Sequence, residues 1–492
     1  MWDKDSLCQL VSEKMSGYHL VSVSNREPYI HAYDQGEVCC QVPASGLTTA
    51  LDPVMRACGG TWVAHGSGDA DREVVDSQDR VSVPPGEDRY TLRRVWLTKE
   101  EEQGYYFGFS NEALWPLCHI AYNRPVFRKS DWETYEKVNR RFADAVIEEV
   151  QGKKAFVFIQ DYHLALLSRM LTESNPNIIT AQFWHIPWPN PEAFRICPWQ
   201  TEILDGLLGN HLLGFHIRYH CNNFLDTVDR TIEARVDRER ITVTKSGKVT
   251  SVKPFPISVD YDEIEAEATR PEIQQEIRGL KKRLGIKDEK IGLGLDRIDY
   301  TKGILERLQA FDLFLELSPQ YKGKVTFIQG GVPSRTHIGA YKDLNDDIDG
   351  LIDMINWKHS QEHWKPIVYL KEHIPSHTMS ALRCMADFCT VSSLHDGMNL
   401  VAKEFVASRA DEDGVLILSP FTGAAREFSD ALQVNPYAID NFARTIKDAI
   451  EMPEDERRRR MRKMRSLLKE NNIYKWAGDI ITELSRFEFG DR

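Results

Sequence analysis

The constraint that narrows this chain most is a pattern that runs through once and then starts again. Short apolar runs ending in polar or turn residues, "YHLVSVSNR" (18–26), "KAFVFIQDYH" (154–163), "NIITAQFWHIP" (177–187) and "HLLGFHI" (211–217), alternate with amphipathic helical stretches such as "WETYEKVNRRFADAVIEEV". That alternation predicts a parallel sheet with helices on both faces. After "VKPFPISVDYDEIEAEA" it resumes with "KIGLGLDRID" (290–299), "KVTFIQGG" (324–331), "PIVYLK" (366–371), "DFCTVSS" (387–393) and "GVLILSP" (414–420). The stretch around Pro254 and Pro256 is the expected boundary. It divides the chain into a first domain over 1–255 and a second over 256–470, with a C-terminal helix over 471–492 expected to pack back towards the first. Two doubly wound domains of this kind, facing each other, bring their strand C-termini to either side of one cleft, where ligands bind.

The composition excludes several classes. With 492 residues, 42% of them hydrophobic, the chain supports two full cores. A net charge of −12 and a pI near 5.7 leave no basic footprint for nucleic acid. An anionic ligand therefore needs a local basic pocket. None of the nine cysteines falls in a CxxC pair of the zinc-holding kind, and they read as reduced thiols of a cytoplasmic protein. "MWDKDSLCQLVSEKM" lacks the uninterrupted apolar core of a signal peptide, and no run approaches the ~18 apolar residues of a membrane span. The basic run "DERRRRMRKMR" (455–465) reads as a solvated helix face.

The strand ends are where the chemistry gathers. Arg26 follows the first strand, Asp161 and His163 the next, and His185 the one after. In the second half Arg297 and Lys302 follow one strand, Arg335 another, and "LHDGMNLVAKEF" (394–405) a third. Asp396 or Asn399 alone would cap the helix that begins there; two polar residues and a glycine ask for more than a cap. "GDADRE" offers Asp69 and Asp71 as a DxD-type metal motif, but without further ligands nearby it reads as coincidence.

The ordered strings "SNR", "YYFGFSNEALWP", "QDYHL", "HIPWP", "GLLGFH", "DRIDYTKGI" and "LHDGMNLVAKEF" span nearly the whole chain, which on them resembles the trehalose-6-phosphate synthase family. These are retaining glycosyltransferases of family 20. The resemblance implies an α/β chain of the GT-B fold, with two Rossmann-like domains across a cleft, an N-terminal one for the acceptor and a C-terminal one for the nucleotide sugar. It implies transfer of glucose from a nucleoside diphosphate glucose, UDP-glucose favoured, to glucose 6-phosphate, with no metal or other cofactor. It also implies a chain without the phosphatase domain fused to some relatives, so that a separate trehalose-6-phosphate phosphatase acts downstream. Dimers and tetramers both occur among relatives, which leaves a homo-oligomer of either size open; neither nucleic acid nor membrane is an expected partner.

By the same resemblance, Asp396 bonds the donor sugar hydroxyls, the backbone of Gly397, Met398, Asn399, Leu400 and Val401 faces the sugar and pyrophosphate, and Glu404 takes the ribose hydroxyls. A helix N-terminus suits a diphosphate, since unpaired N–H groups and the positive dipole end point at it. Arg297 and Lys302 would neutralise the diphosphate as it leaves, and fixed cations there lower the barrier because charge develops on the departing group. Gly46 belongs to the donor loop, with Ser45 where relatives have the first glycine of a Gly-Gly pair. Arg26, Tyr106, Trp115 and Arg335 align with the ligands of the acceptor phosphate, all of them donors. Asp161 orients the acceptor hydroxyls and His185 bonds the transferred glucose near its O6.

Other departures are His395, where relatives carry arginine, an expected source of pH sensitivity near neutrality, and Ser258, where glycine is frequent in the hinge. "REPY" after "SNR" is similar to glucosylglycerol-phosphate synthases, which use ADP-glucose and glycerol 3-phosphate, and this keeps that branch as an alternative. A non-catalytic sugar-phosphate sensor is the alternative of another class. Such relatives tend to lose a diphosphate cation, the ribose glutamate or the donor aspartate, whereas Arg297, Lys302, Asp396 and Glu404 are all present.

Overall fold

The computed structural model describes residues 2–43, 46–333, 335, 338–361 and 363–487. The chain forms two compact units. One runs to Ile257 and takes in the segment from Ile473, and the other spans Ser258–Asn472.

The first unit is built on a ten-stranded sheet among the described residues. Its central strands run, in spatial order, Lys248–Pro254, Leu212–Phe215, Ile178–Phe183, Ala155–Gln160, His19–Arg26, Thr61–His65 and Tyr90–Val95, all parallel to their neighbours. Arg80–Val83 closes one edge antiparallel, and Thr242–Lys245 and Arg235–Asp237 form the other. Every residue of Ile178–Phe183 is buried, as helices on both faces of a parallel sheet require. The helix Ile473–Leu484 completes this core: the Trp476 ring meets Phe158 and Phe183 with centroids 5.8 and 5.2 Å away, and its indole N–H donates to Phe255 O at 3.2 Å.

The second unit has a six-stranded, wholly parallel sheet among the described residues, in the order Ile367–Leu370, Val325–Pro333, Lys290–Ile298, Phe388–Val391, Val415–Leu418, Leu432–Gln433. Numbered along the chain this is 3-2-1-4-5-6, the dinucleotide-fold order. Its core packs Phe311, Phe314, Phe327, Phe388 and Ile446 between sheet and helices, each side chain contributing about 1.5–3 kcal/mol over its exposed state. Local signals set the helices. Pro271–Leu284 starts with proline in its first turn, ends on Lys281, Lys282 and Arg283, and stops at Gly285, whose φ of 70° is left-handed.

The periodic runs all become strands, trimmed by a residue or several at their ends. The short strands Thr61–His65 and Tyr90–Val95 and the edge hairpin were not among those runs. Two further features depart from the sequence reading. Gln103–Leu114 winds as a π-helix, with Trp115 N–H bonded to Ser110 O five residues back, which hydrophobic periodicity does not signal. The helix Glu454–Glu470 is not simply a solvated face: Arg457 forks onto Asp413 at 2.7 and 3.0 Å, and Arg465 is buried, donating to Val406 O and Ala407 O and pairing with Glu265. No described helix is long and apolar enough to cross a membrane.

Candidate active site

In the second unit the strand order reverses between Lys290–Ile298 and Phe388–Val391, so the loops leaving these two strands border one crevice. The first carries Arg297 at the strand end and Lys302 in a tight turn, Tyr300–Lys302, capped by the Asp299 side chain. Gly303 follows with φ of 61°, and a Cβ there would stand 2.2 Å from Ser392 O, so only glycine lets the two loops approach. Ser392 Oγ donates to Lys302 O and Gly303 O, and Leu394 N–H donates to Thr301 O. The loops are thereby tied together. Lys302 Nζ lies 2.5 Å from Asp396 Oδ2, which also accepts from Ser393 Oγ and Asn399 Nδ2 at 3.2 Å. Burial works against the Lys302 ammonium, but Asp396 and then Asp296 outweigh it and hold its pKa above the ordinary value.

Asn399 caps the helix Leu400–Ser408 through Oδ1 to Ala402 N–H at 3.1 Å, so the cap reading holds for Asn399 while Asp396 is engaged by Lys302 instead. Gly397 and Met398 are buried, and a Cβ on Gly423 would meet Gly397 O at 2.2 Å, which shows how closely backbone packs behind this loop. Glu404, in the second turn, accepts from Arg383 Nη1 at 2.7 Å. Burial pushes its pKa up and Arg383 opposes that push. Lys403 points the other way into the core, fully buried beside Glu427 at 2.5 Å. Arg335 is buried within this unit, its Nη1 donating to Tyr341 OH at 2.7 Å and lying 3.4 Å from Asp299 Oδ2.

The first unit reverses its strand order between His19–Arg26 and Ala155–Gln160. Arg26, exposed, ends the first, and its Nη2 lies 3.4 Å from Tyr106 OH. Tyr106 sits on the π-helix, stacked on the His163 ring with centroids 5.6 Å apart, and its carbonyl accepts from Asn111 Nδ2 at 2.7 Å. Asn111 Oδ1 in turn accepts from Tyr162 OH, whose ring meets Trp115 at 5.9 Å. Arg26, Tyr106 and Trp115 thus belong to one connected group. Asp161 ends the second strand at φ of 71°, a strained conformation for a non-glycine residue costing about 1–3 kcal/mol. Its Oδ1 accepts from Tyr162 N–H at 2.9 Å and from His185 N–H at 3.1 Å, which ties the two loops carrying these side chains. His185 Nε2 lies 2.8 Å from Gln160 Oε1, and burial holds its pKa down to about 3, so the imidazole is neutral.

Gly46 opens the helix Gly46–Cys58, and Ser45 lies outside the described residues. Ser258 is fully buried. Asp69 and Asp71 have structural duties: Asp69 accepts from Tyr33 N–H, while Asp71 accepts from His31 N–H and Gly68 N–H and pairs with Arg94 at 2.7 Å. Among the described residues, no group of three or more His, Cys, Asp or Glu side chains is placed to hold a metal ion. Sequence reasoning assigned no role to Asn111, Tyr162, Asp299, Tyr341 or Arg383. All but Tyr341 and Arg383 lie inside strings already singled out, "FSNEALWP", "QDYHL" and "DRIDYTKGI", which was the available signal.

Two doubly wound sheets with charged and hydrogen-bonding residues collected at their switch points define a nucleotide-binding class of α/β protein. A model of glycosyltransferase family 20 matches residues 18–486, and the chain belongs to that family. It is a glycosyltransferase of the GT-B fold. The chain is 36% identical over 483 residues to a trehalose-6-phosphate synthase of Mycolicibacterium paratuberculosis, covering 96% of this chain and 97% of the relative. It is also 36% identical over 476 residues to a bifunctional trehalose-6-phosphate synthase/phosphatase of Thermoproteus tenax, covering 63% of that longer protein. Among solved structures it is similar to one from E. coli bound with UDP-2-fluoro glucose, with a TM-score of 0.85 at 31% identity, covering 96% of this chain and 99% of the other. A UDP-forming α,α-trehalose-phosphate synthase from Burkholderia xenovorans in complex with glucose-6-phosphate gives the same TM-score and identity, covering 95% and 100%.

Proposed function

We propose that this chain moves glucose, with retention of configuration, from UDP-glucose to glucose 6-phosphate, giving α,α-trehalose 6-phosphate and UDP. The observation that carries the reading is the Lys302–Asp396 ion pair at the second unit's switch point, with Arg297 on the adjoining strand end and Glu404 two turns into the helix behind it. Relatives that bind UDP-2-fluoro glucose or glucose-6-phosphate support it. In this reading the second unit holds the donor. Glu404, paired with Arg383, accepts the ribose hydroxyls, Asp396 accepts from the glucose hydroxyls, and the backbone from Gly397 to Val401 meets the diphosphate. By the family resemblance Arg26, Tyr106, Trp115 and Arg335 are donors to the acceptor phosphate, and Asp161 orients the acceptor hydroxyls.

The reaction breaks the bond between the glucose anomeric carbon and the β-phosphate oxygen and forms one from that carbon to the acceptor's anomeric oxygen on the same face. The proton of the acceptor hydroxyl passes to the leaving phosphate oxygen, so no protein nucleophile takes part. Arg297 and Lys302 stabilise the charge growing on the diphosphate, and a fixed cation acts there without reorganising. Neutral His185 is suited to a hydrogen bond with a sugar hydroxyl rather than to proton transfer near neutral pH.

The test is an activity matrix of UDP-, ADP- and GDP-glucose against glucose 6-phosphate and glycerol 3-phosphate, with and without EDTA, reading nucleoside diphosphate release and product identity. Trehalose 6-phosphate formed from UDP-glucose in the presence of EDTA is the expected result. A glucosylglycerol phosphate would move the chain to the neighbouring branch. Donor binding without any product would point to a sensor.

A further inference from the structure

Lys302 and Arg335 sit on loops after neighbouring strands, Lys290–Ile298 and Val325–Pro333, and both lead to one fully buried side chain, Asp299. Asp299 Oδ1 accepts from Thr301 N–H and Thr301 Oγ1, each at 3.0 Å, and its backbone oxygen accepts from Lys302 N–H at 3.0 Å. One oxygen therefore shapes the turn that carries Lys302. Asp299 Oδ2 accepts from Tyr341 OH at 3.2 Å and lies 3.4 Å from Arg335 Nη1. The other oxygen therefore holds Arg335, whose guanidinium also lies over the Tyr341 ring, 5.5 Å from its centroid. Arg335 has φ of 53°, so its backbone depends on such anchoring to keep a conformation that non-glycine residues rarely adopt. A carboxylate is rigid and planar, and this one has no solvent to turn towards.

We propose that Asp299 is a positioning residue that serves both phosphate subsites of the reaction, one oxygen aiming Lys302 at the leaving diphosphate and the other presenting Arg335 to the acceptor phosphate. This rests on the functional reading above and extends it to a side chain that touches neither substrate.

The test separates the two oxygens, using dissociation constants for UDP and for glucose 6-phosphate from calorimetry, together with kcat and KM. Thr301→Val should weaken UDP several-fold and lower kcat while leaving glucose 6-phosphate binding unchanged. Tyr341→Phe should weaken glucose 6-phosphate several-fold and leave UDP unchanged. Asp299→Ala should weaken both. Asp299→Asn keeps an acceptor for Thr301 but turns an amide N–H2 towards the guanidinium, so it should restore UDP binding without restoring glucose 6-phosphate binding. A purely structural aspartate predicts that asparagine restores both or neither, and either result overturns the proposal. If the Asp299 variants do not fold, the Thr301 and Tyr341 variants decide: both ligands weakened equally by either change, or no weakening, overturns it. A wild-type protein that binds both ligands but forms no trehalose 6-phosphate would sink the functional reading while the binding split still judged Asp299. A wild type that bound neither would overturn both.

Discussion

At the scale of single residues, the site depends on charges held where water does not screen them. Lys302→Ala removes a charge-assisted hydrogen bond of about 1.5–3 kcal/mol, expected to act mainly on the departing diphosphate, so kcat should fall about tenfold or more with little change in donor KM. Steady-state kinetics check this, and a rise in KM alone would assign the lysine to ground-state binding. Glu404→Gln leaves an amide facing Arg383 in place of the carboxylate and should weaken UDP binding while sparing glucose 6-phosphate, as calorimetry would read. Most of these residues were legible in the sequence because strand ends in doubly wound sheets are where ligands bind, and charges concentrate there. Their partners were not. That Arg383 meets Glu404, or that Lys302 meets Asp396 rather than standing alone, depends on side chains 21 and 94 positions apart.

At the scale of elements, two features decide how the loops are held. Asn399 caps its helix from a φ of 83°, which asparagine tolerates and alanine does not. Asn399→Ala should therefore destabilise by about 1 kcal/mol or more in denaturant unfolding. Under the strand end that carries Arg26, Glu27 and Asp71 share the buried guanidinium of Arg94. Burial first, and then the hydrogen-bonded Asp71, raise the Glu27 pKa well above the carboxylate range. The folded chain then keeps a proton that the unfolded chain releases, so this group's contribution is full below the unfolded carboxylate pKa and is lost as pH rises through the raised one. Glu27→Gln should flatten that loss: the wild type's melting temperature should fall more steeply than the variant's between pH 6 and pH 9. The sequence offered "REPY" only as a variant string. The second carboxylate comes from a loop 44 positions on, and the guanidinium from a strand 67 positions away. The π-helix was equally hidden: it packs against the helix Lys129–Val150, and its own hydrophobic spacing does not signal its winding.

At the scale of the whole molecule, each unit has its own core, and the chain's end belongs to the first. Removing residues from 473 onward strips Ile473, Trp476, Ile480, Ile481 and Leu484, all buried, from that core. Hydrogen exchange should then show lost protection in the sheet strands His19–Arg26 through Lys248–Pro254, while the strands of the second unit keep theirs. Equal loss in both units would mean that the helix supports more than the first core.

The sequence by itself determined the class of the protein: two runs of alternating apolar strands and amphipathic helices, separated near Pro254, and charged or hydrogen-bonding residues at the strand ends. Those signals are local, because periodicity and turn chemistry are written in neighbouring residues. Tertiary structure alone decided the rest. It decided the 3-2-1-4-5-6 strand order that makes neighbours of the loops bearing Lys302 and Asp396, and the meeting of Thr301, Arg335 and Tyr341 on Asp299. It also decided that the lysine of "VAKEF" faces the core while the glutamate beside it faces Arg383. Which side chain reaches which partner follows from how distant segments pack, and no window along the chain contains both members of such a pair.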